Sequence, residues 1–192
     1  MNARQQAFYR QACSDWSVFR HFHPCGGRWW IKARRVWCQV IGVRPFFFPV
    51  CHELHYLQMC TEKLAKACYP STPARGGGHA AFRRFMTDLP LNPAAVAPLG
   101  FDDLASLTRW QGSVGLLIGA IEDLAPSIAD RKGLPNPEYP WPRDTEANAP
   151  MDYSFQAEVY TLLDAQASSG EPPFLTIFGR MVETMQSRAW HR

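Results

Sequence analysis

The chain has 192 residues, 46% of them hydrophobic, and a formal net charge of +3. Those values exclude a disordered polyampholyte and allow one domain with a full core. The charge is uneven: residues 1–50 hold eight Lys/Arg against one Asp, a balance of +7, and the remainder holds twelve against sixteen, a balance of −4. A basic N-terminal patch on a mildly acidic body is the simplest arrangement.

Taken in chain order, residues 3–20 place Ala7, Phe8, Ala12, Trp16 and Phe19 at helical spacing. Residues 21–50 differ sharply, being rich in Trp, Arg and Phe, with no acidic residue between Asp15 and Glu53. A strong helix follows over 51–69, then a breaker segment over 70–78 that contains three consecutive glycines. A short helix is expected over 79–88, and the proline-punctuated stretch after it reads as a loop. Residues 101–130 predict one long apolar helix, opened by Asp102 or Asp103 and closed near Gly133. The proline-dense stretch from Leu134 to Pro150 is expected to be irregular, because proline removes backbone donors and fixes φ. Residues 153–168 and 173–190 predict two final helices. The expected fold is all-α, an antiparallel bundle of five to six helices with long Pro-rich loops, forming a single domain over 1–192.

All six cysteines lie in the first 68 residues. The first apolar segment is interrupted by Arg10, Asp15 and Arg20, unlike a secretory signal, so the thiols are read as reduced and the protein as cytoplasmic. The best apolar run, Val36 to Val50, is broken by Arg44 and Pro45, so no membrane span is expected.

The stretch Cys51-His-Glu-Leu-His-Tyr-Leu-Gln-Met-Cys60 has the residue types of a zinc site. At 100° per residue, however, Cys60 lies on the opposite side of a helix from Cys51. Cys51, His52 and His55 would still need a fourth ligand, and no Cys-x-x-Cys partner exists. The stretch is therefore read as an amphipathic helix. Leu54, Tyr56, Leu57, Cys60, Leu64, Ala65, Ala67 and Cys68 make its core face. His52, His55, Gln58, Glu62, Lys63 and Lys66 make its wet face, with Glu62–Lys66 a surface ion pair. No metal and no other cofactor is expected.

Within that helix, Gln58-Met-Cys-Thr-Glu62-Lys63-Leu-Ala-Lys66-Ala67 resembles the second-helix pattern of HEPN-domain proteins: Gln, small residues, Glu-Lys, two apolar residues, Lys-Ala. The resemblance extends to the first helix through Ser14-Asp15-Trp16 and to the later helices by order and length, and it leaves out residues 21–50. It implies an antiparallel helical bundle, a homodimer, and a role in RNA cleavage, in toxin–antitoxin or defence systems, or beside a nucleotidyltransferase. The ribonuclease members carry an Arg followed, after four to six residues, by a His, because an imidazole can move the 2′-hydroxyl proton while a guanidinium holds the phosphate. No such pair occurs here. Arg188 and His191 are separated by two residues, Arg75 and His79 by three, Arg44 and His52 by seven. No catalytic residue is therefore assigned.

Residues 21–50 support two readings. In one, Arg28, Lys32, Arg34 and Arg35 meet phosphates while Trp29 and Trp30, with Trp37, stack on bases of single-stranded RNA. In the other, the aromatic residues pack on the bundle and the arginines are solvated. A third reading takes the acid-free stretch as an altered reading frame. The sequence as a whole points to a non-catalytic HEPN-like interaction module whose partner is RNA or a protein such as a nucleotidyltransferase. The alternative is a ribonuclease whose active site is assembled differently, with Arg188 and His191 contributed across a dimer. Gly115 and Gly119, four apart in the long helix, permit close packing within the bundle or between copies.

Overall fold

The computed structural model describes residues 1–23, 49–68, 81–143 and 146–185. They form an all-α bundle with one short two-stranded ribbon. Helix α1 (Ala3–Phe22) opens on Asn2, whose side chain accepts from the Gln5 N–H while Gln5 reaches back to the Asn2 N–H. Helix α2 (Val50–Cys68) packs along α1 and sits at the centre of the bundle. Helix α3 (Ala81–Asp88) follows, then a 3₁₀ turn, the one-turn helix α4 (Pro93–Val96) and a second 3₁₀ turn.

The predicted helix over 101–130 is two helices, α5 (Leu104–Asp123) and α6 (Pro126–Lys132), bent by 92°. The break has a direct cause. Pro126 has no N–H to donate, and Ala125 before it takes the extended conformation (φ −63°, ψ 127°) that a following proline favours. The expected ends are in place. Asp103 caps α5 in a reciprocal pair with Ser106. Gly133, at φ 64°, ends α6 and lets the Leu134 N–H reach the Ala129 carbonyl at 2.9 Å. Among the described residues, no single helix is long and apolar enough to cross a membrane.

The stretch 134–150 is more regular than its prolines suggest. Trp141–Arg143 (β1) pairs antiparallel with Glu146–Asn148 (β2), setting Trp141 opposite Asn148 and Pro142 opposite Ala147. Both strands of a two-stranded ribbon are edges, where a proline costs no central ladder bond. The segment predicted as a helix over 153–168 begins later, with a π-helical turn (Gln156–Tyr160) that runs into α7 (Thr161–Ala167). Helix α8 (Phe174–Thr184) completes the bundle. Its first N–H, on Phe174, is accepted by the buried Gln166 side chain at 2.7 Å.

One apolar cluster joins α1, α2, α3, α5 and α8. Phe178 lies at its middle, edge-on to Trp16 (5.1 Å) and Phe82 (5.8 Å) and stacked on Phe174 (5.7 Å). Such pairs contribute about 1 kcal/mol each beyond the area they bury.

Candidate functional site

The wet face predicted for 51–69 is partly buried. Gln58 and Glu62 are 3% and 4% exposed, whereas His52 is exposed and His55, Lys63 and Lys66 are half-buried; Cys51 is buried as well as Cys60. A helix at the centre of a bundle is covered on nearly every side, so its polar side chains must satisfy one another. They do so at i, i+4 spacing: Gln58 Nε2 donates to Glu62 Oε2 at 3.0 Å, and the Lys66 ammonium donates to Glu62 Oε1. The Glu62–Lys66 pair is therefore half-buried, a partly exposed ammonium on a buried carboxylate, and not a fully solvated surface pair. The Cys60 thiol donates to the Ala12 carbonyl at 3.1 Å, and burial raises the pKa of both the Cys51 and the Cys60 thiol. Two protonated thiols, each fixed in its own packing, are poor metal ligands.

The open end of the α1–α2 pair carries the site with the richest chemistry. His23 ends α1, and its N–H bonds back to the Phe19 carbonyl at 2.7 Å while its ring stacks on Phe19. Glu53 lies in the first turn of α2 with its side chain 8% exposed. His23 Nδ1 pairs with Glu53 Oε1, and the Tyr160 hydroxyl donates to the same oxygen at 3.1 Å. Tyr160 is aimed there by unusual backbone. Phe155 is the only described non-glycine residue with positive φ, at 49°, and the π-helical turn starts directly after it. A bulky residue in the left-handed region costs of order 1 kcal/mol, and single π-turns frequently mark functional places. Burial of Phe155 between Trp141 and Tyr153 holds that conformation.

A second polar contact lies two residues along α2. His55 Nδ1 stands 2.9 Å from Glu138 Oε1, an ion pair when the ring is protonated. Asn136 places Glu138 by accepting the N–H groups of Glu138 (3.1 Å) and Tyr139 (2.8 Å). On α1, Asp15 is 4% exposed and accepts from Gln11 Nε2 at 2.8 Å, while its Oδ2 has no partner. Burial pushes the Asp15 carboxyl above its ordinary pKa, and the Gln11 bond, Lys63 and His55 offset only part of that.

That shift has a sign. The folded chain holds the Asp15 proton more tightly than the unfolded chain does. The contribution of Asp15 to stability is thus greatest at acid pH and falls as pH rises from the ordinary carboxylate range through the folded value. Asp15→Asn is expected to raise stability at neutral pH. The gain over the parent, measured by urea unfolding from about pH 4 to about pH 8, should grow with pH. A gain that does not change with pH would count against the buried charge as its cause.

Arg28, Trp29, Trp30, Lys32, Arg34 and Arg35 lie outside the described residues, as do Arg75, His79, Arg188 and His191. The structure does bring together what flanks the first group: His23, five residues before it, pairs with Glu53, eighteen residues after it. Among the described residues no three His, Cys, Asp or Glu side chains converge as a metal site. No family model, curated protein or solved structure matches the chain.

The sequence reading passed over Glu53, His23 and Tyr160. A signal for Glu53 was present, since it is the acidic residue that ends a 37-residue stretch without acid and it falls in a helix's first turn. Tyr160 carried no signal, because its aim depends on the positive φ of Phe155.

Proposed function

We propose that this chain is a non-catalytic, HEPN-like helical interaction module that presents the basic, aromatic segment within 24–48 to single-stranded RNA. The reading is carried by one observation: the residues bracketing that segment are tied to each other and to Tyr160 through Glu53. A segment held at its base loses less freedom when it binds. Its sequence supplies the two chemistries that grip single strands, cations for phosphates and indole rings for bases. The polar groups of Gln58, Glu62 and Lys66 are spent inside the bundle, which supports interaction through the segment and not through the helix that carries the family resemblance. A protein partner such as a nucleotidyltransferase is the competing ligand.

The test is fluorescence anisotropy of labelled single-stranded RNA with the purified chain at low and high salt, with the same samples run on a gel for cleavage. Salt-sensitive binding is expected, and Arg34→Glu with Arg35→Glu should weaken it about tenfold and lower the slope of log affinity against log salt by about 1–2. RNA binding unaffected by the double variant would sink the assignment of the segment. RNA cleavage that survives chelator would overturn the non-catalytic reading and make Arg188 and His191 the next residues to replace.

A further inference from the structure

Helix α1 turns a row of polar side chains outward. Gln6, Arg10, Ser14, Ser17 and His21 recur at helical spacing, and all five are exposed. At 100° per residue they fall within an arc of about 80° and run for about 22 Å along the axis. Each can donate a hydrogen bond, and Arg, Ser and Gln are among the side chains that meet phosphate oxygens in nucleic-acid complexes.

The charge on this face has one sign. The ten exposed residues of α1 include Arg4, Arg10 and Arg20 and no carboxylate. The single acid of the helix, Asp15, is 4% exposed and turned away from the row. Elsewhere on the surface cations stand beside acids: Arg84 beside Asp88, Arg109 beside Glu171 and Lys132 beside Asp123. No ion pair among the described residues takes up Arg10. Arg20 reaches Glu183 at 3.9 Å, with both side chains more than half exposed, and a pair that open contributes little. A face that serves solubility alone carries both signs interspersed.

Position adds to charge. Helix α1 ends at Phe22, capped by His23, and the basic, aromatic segment starts at the next residue, while the chain from 51 onward is net acidic. An anionic strand is therefore steered to this end of the molecule. Arg20 and His21, in the last turn, offset the negative end of the helix dipole.

We propose that the outward row of α1 is a phosphate track for the single-stranded RNA gripped by the adjoining segment. The strand leaving the segment runs back along the helix. Donors three or four residues apart stand about 5 Å apart along the axis, a step of the same order as that between neighbouring phosphates of an extended strand. Contacts to the backbone alone add affinity without reading sequence, and they make the binding site longer than the segment can cover.

The track rests on the RNA reading, and the experiment separates the two. The full chain is titrated by anisotropy with labelled oligouridylates of about 6 and about 20 nucleotides, lengths that bracket common single-strand site sizes. Arg10→Gln with Arg20→Gln should weaken binding of the long strand about fivefold and lower its salt slope by about 1.4, which is about 0.7 for each cation removed. Affinity for the short strand should not change. Ser14→Asp, which puts a negative charge into the row and leaves every arginine in place, should weaken the long strand as well. Arg109→Gln with Arg131→Gln removes the same charge from α5 and α6 and should leave both strands bound as in the parent. All five positions are exposed, so helical circular dichroism should be retained throughout. Long-strand binding that ignores the α1 variants overturns the track, and the RNA reading then stands if Arg34→Glu with Arg35→Glu still weakens binding. An equal loss in the α5 and α6 variant also overturns the track, because net charge and not this face would be the cause. A parent that binds neither strand overturns the track together with the RNA reading.

Discussion

Trp110→Ala is expected to lower the thermal midpoint by about 10 °C or to prevent folding at 37 °C. Trp110 is the largest fully buried side chain among the described residues and stands in the first half of α5. Truncating such a residue costs about 3–5 kcal/mol, and for a chain of this size each kcal/mol moves the midpoint by about 2–4 °C. Packing, not hydrogen bonding, should carry the loss. The indole N–H donates to the Pro172 carbonyl at 2.9 Å, yet that carbonyl also accepts from Gln166 Nε2 at 2.9 Å. Trp110→Phe, which leaves the carbonyl its second donor, should therefore recover most of the stability. Differential scanning calorimetry of the two variants decides the point: equal losses would place the energy in the hydrogen bond.

The second large effect is expected at Glu53. Removing the buried Glu53 carboxylate takes away the acceptor that His23 Nδ1 meets, which costs about 2 kcal/mol. Glu53→Ala also takes the acceptor from Tyr160, whose position is set by the left-handed Phe155, so the π-helical turn loses what it is aimed at. Glu53→Gln keeps an oxygen for the hydroxyl and should lose only about 1 kcal/mol. Measured well below the midpoint of each variant, RNA affinity should fall more for Glu53→Ala than for Glu53→Gln. If both bind RNA like the parent, the tie at the base of the basic segment plays no part in holding it for a ligand.

Much of the fold could be read from the chain because it rests on local signals. Periodicity marked α1 and α2, the pair Asp102–Asp103 marked the start of α5, where Asp103 is the cap, and Gly133 marked the end of α6. Pro126 was an equally local signal for the bend, but an unbroken apolar pattern on both sides of it hid the break. Burial around α2 was harder to read. A helical wheel assigns Gln58 and Glu62 to solvent, whereas a central helix keeps only a narrow solvent side and polar residues four apart pair among themselves. The His23–Glu53–Tyr160 site was hidden for another reason. Its members come from three elements, and the hydroxyl that completes it lies 107 positions from the carboxylate.

The closeness of α1 and α8 has a consequence for the order in which the protein is made. The Tyr9 hydroxyl donates to the Val182 carbonyl, Trp16 meets Phe178, and the absence of a side chain on Gly179 lets the Trp16 ring approach α8. An N-terminal helix whose apolar face is completed by residues made more than 160 positions later must leave the ribosome with that face uncovered. Trp16 and Phe19 are then among the residues that a nascent-chain chaperone meets first. Completion of α8 is the step that buries Trp16, so the fluorescence of stalled chains of increasing length should register its arrival.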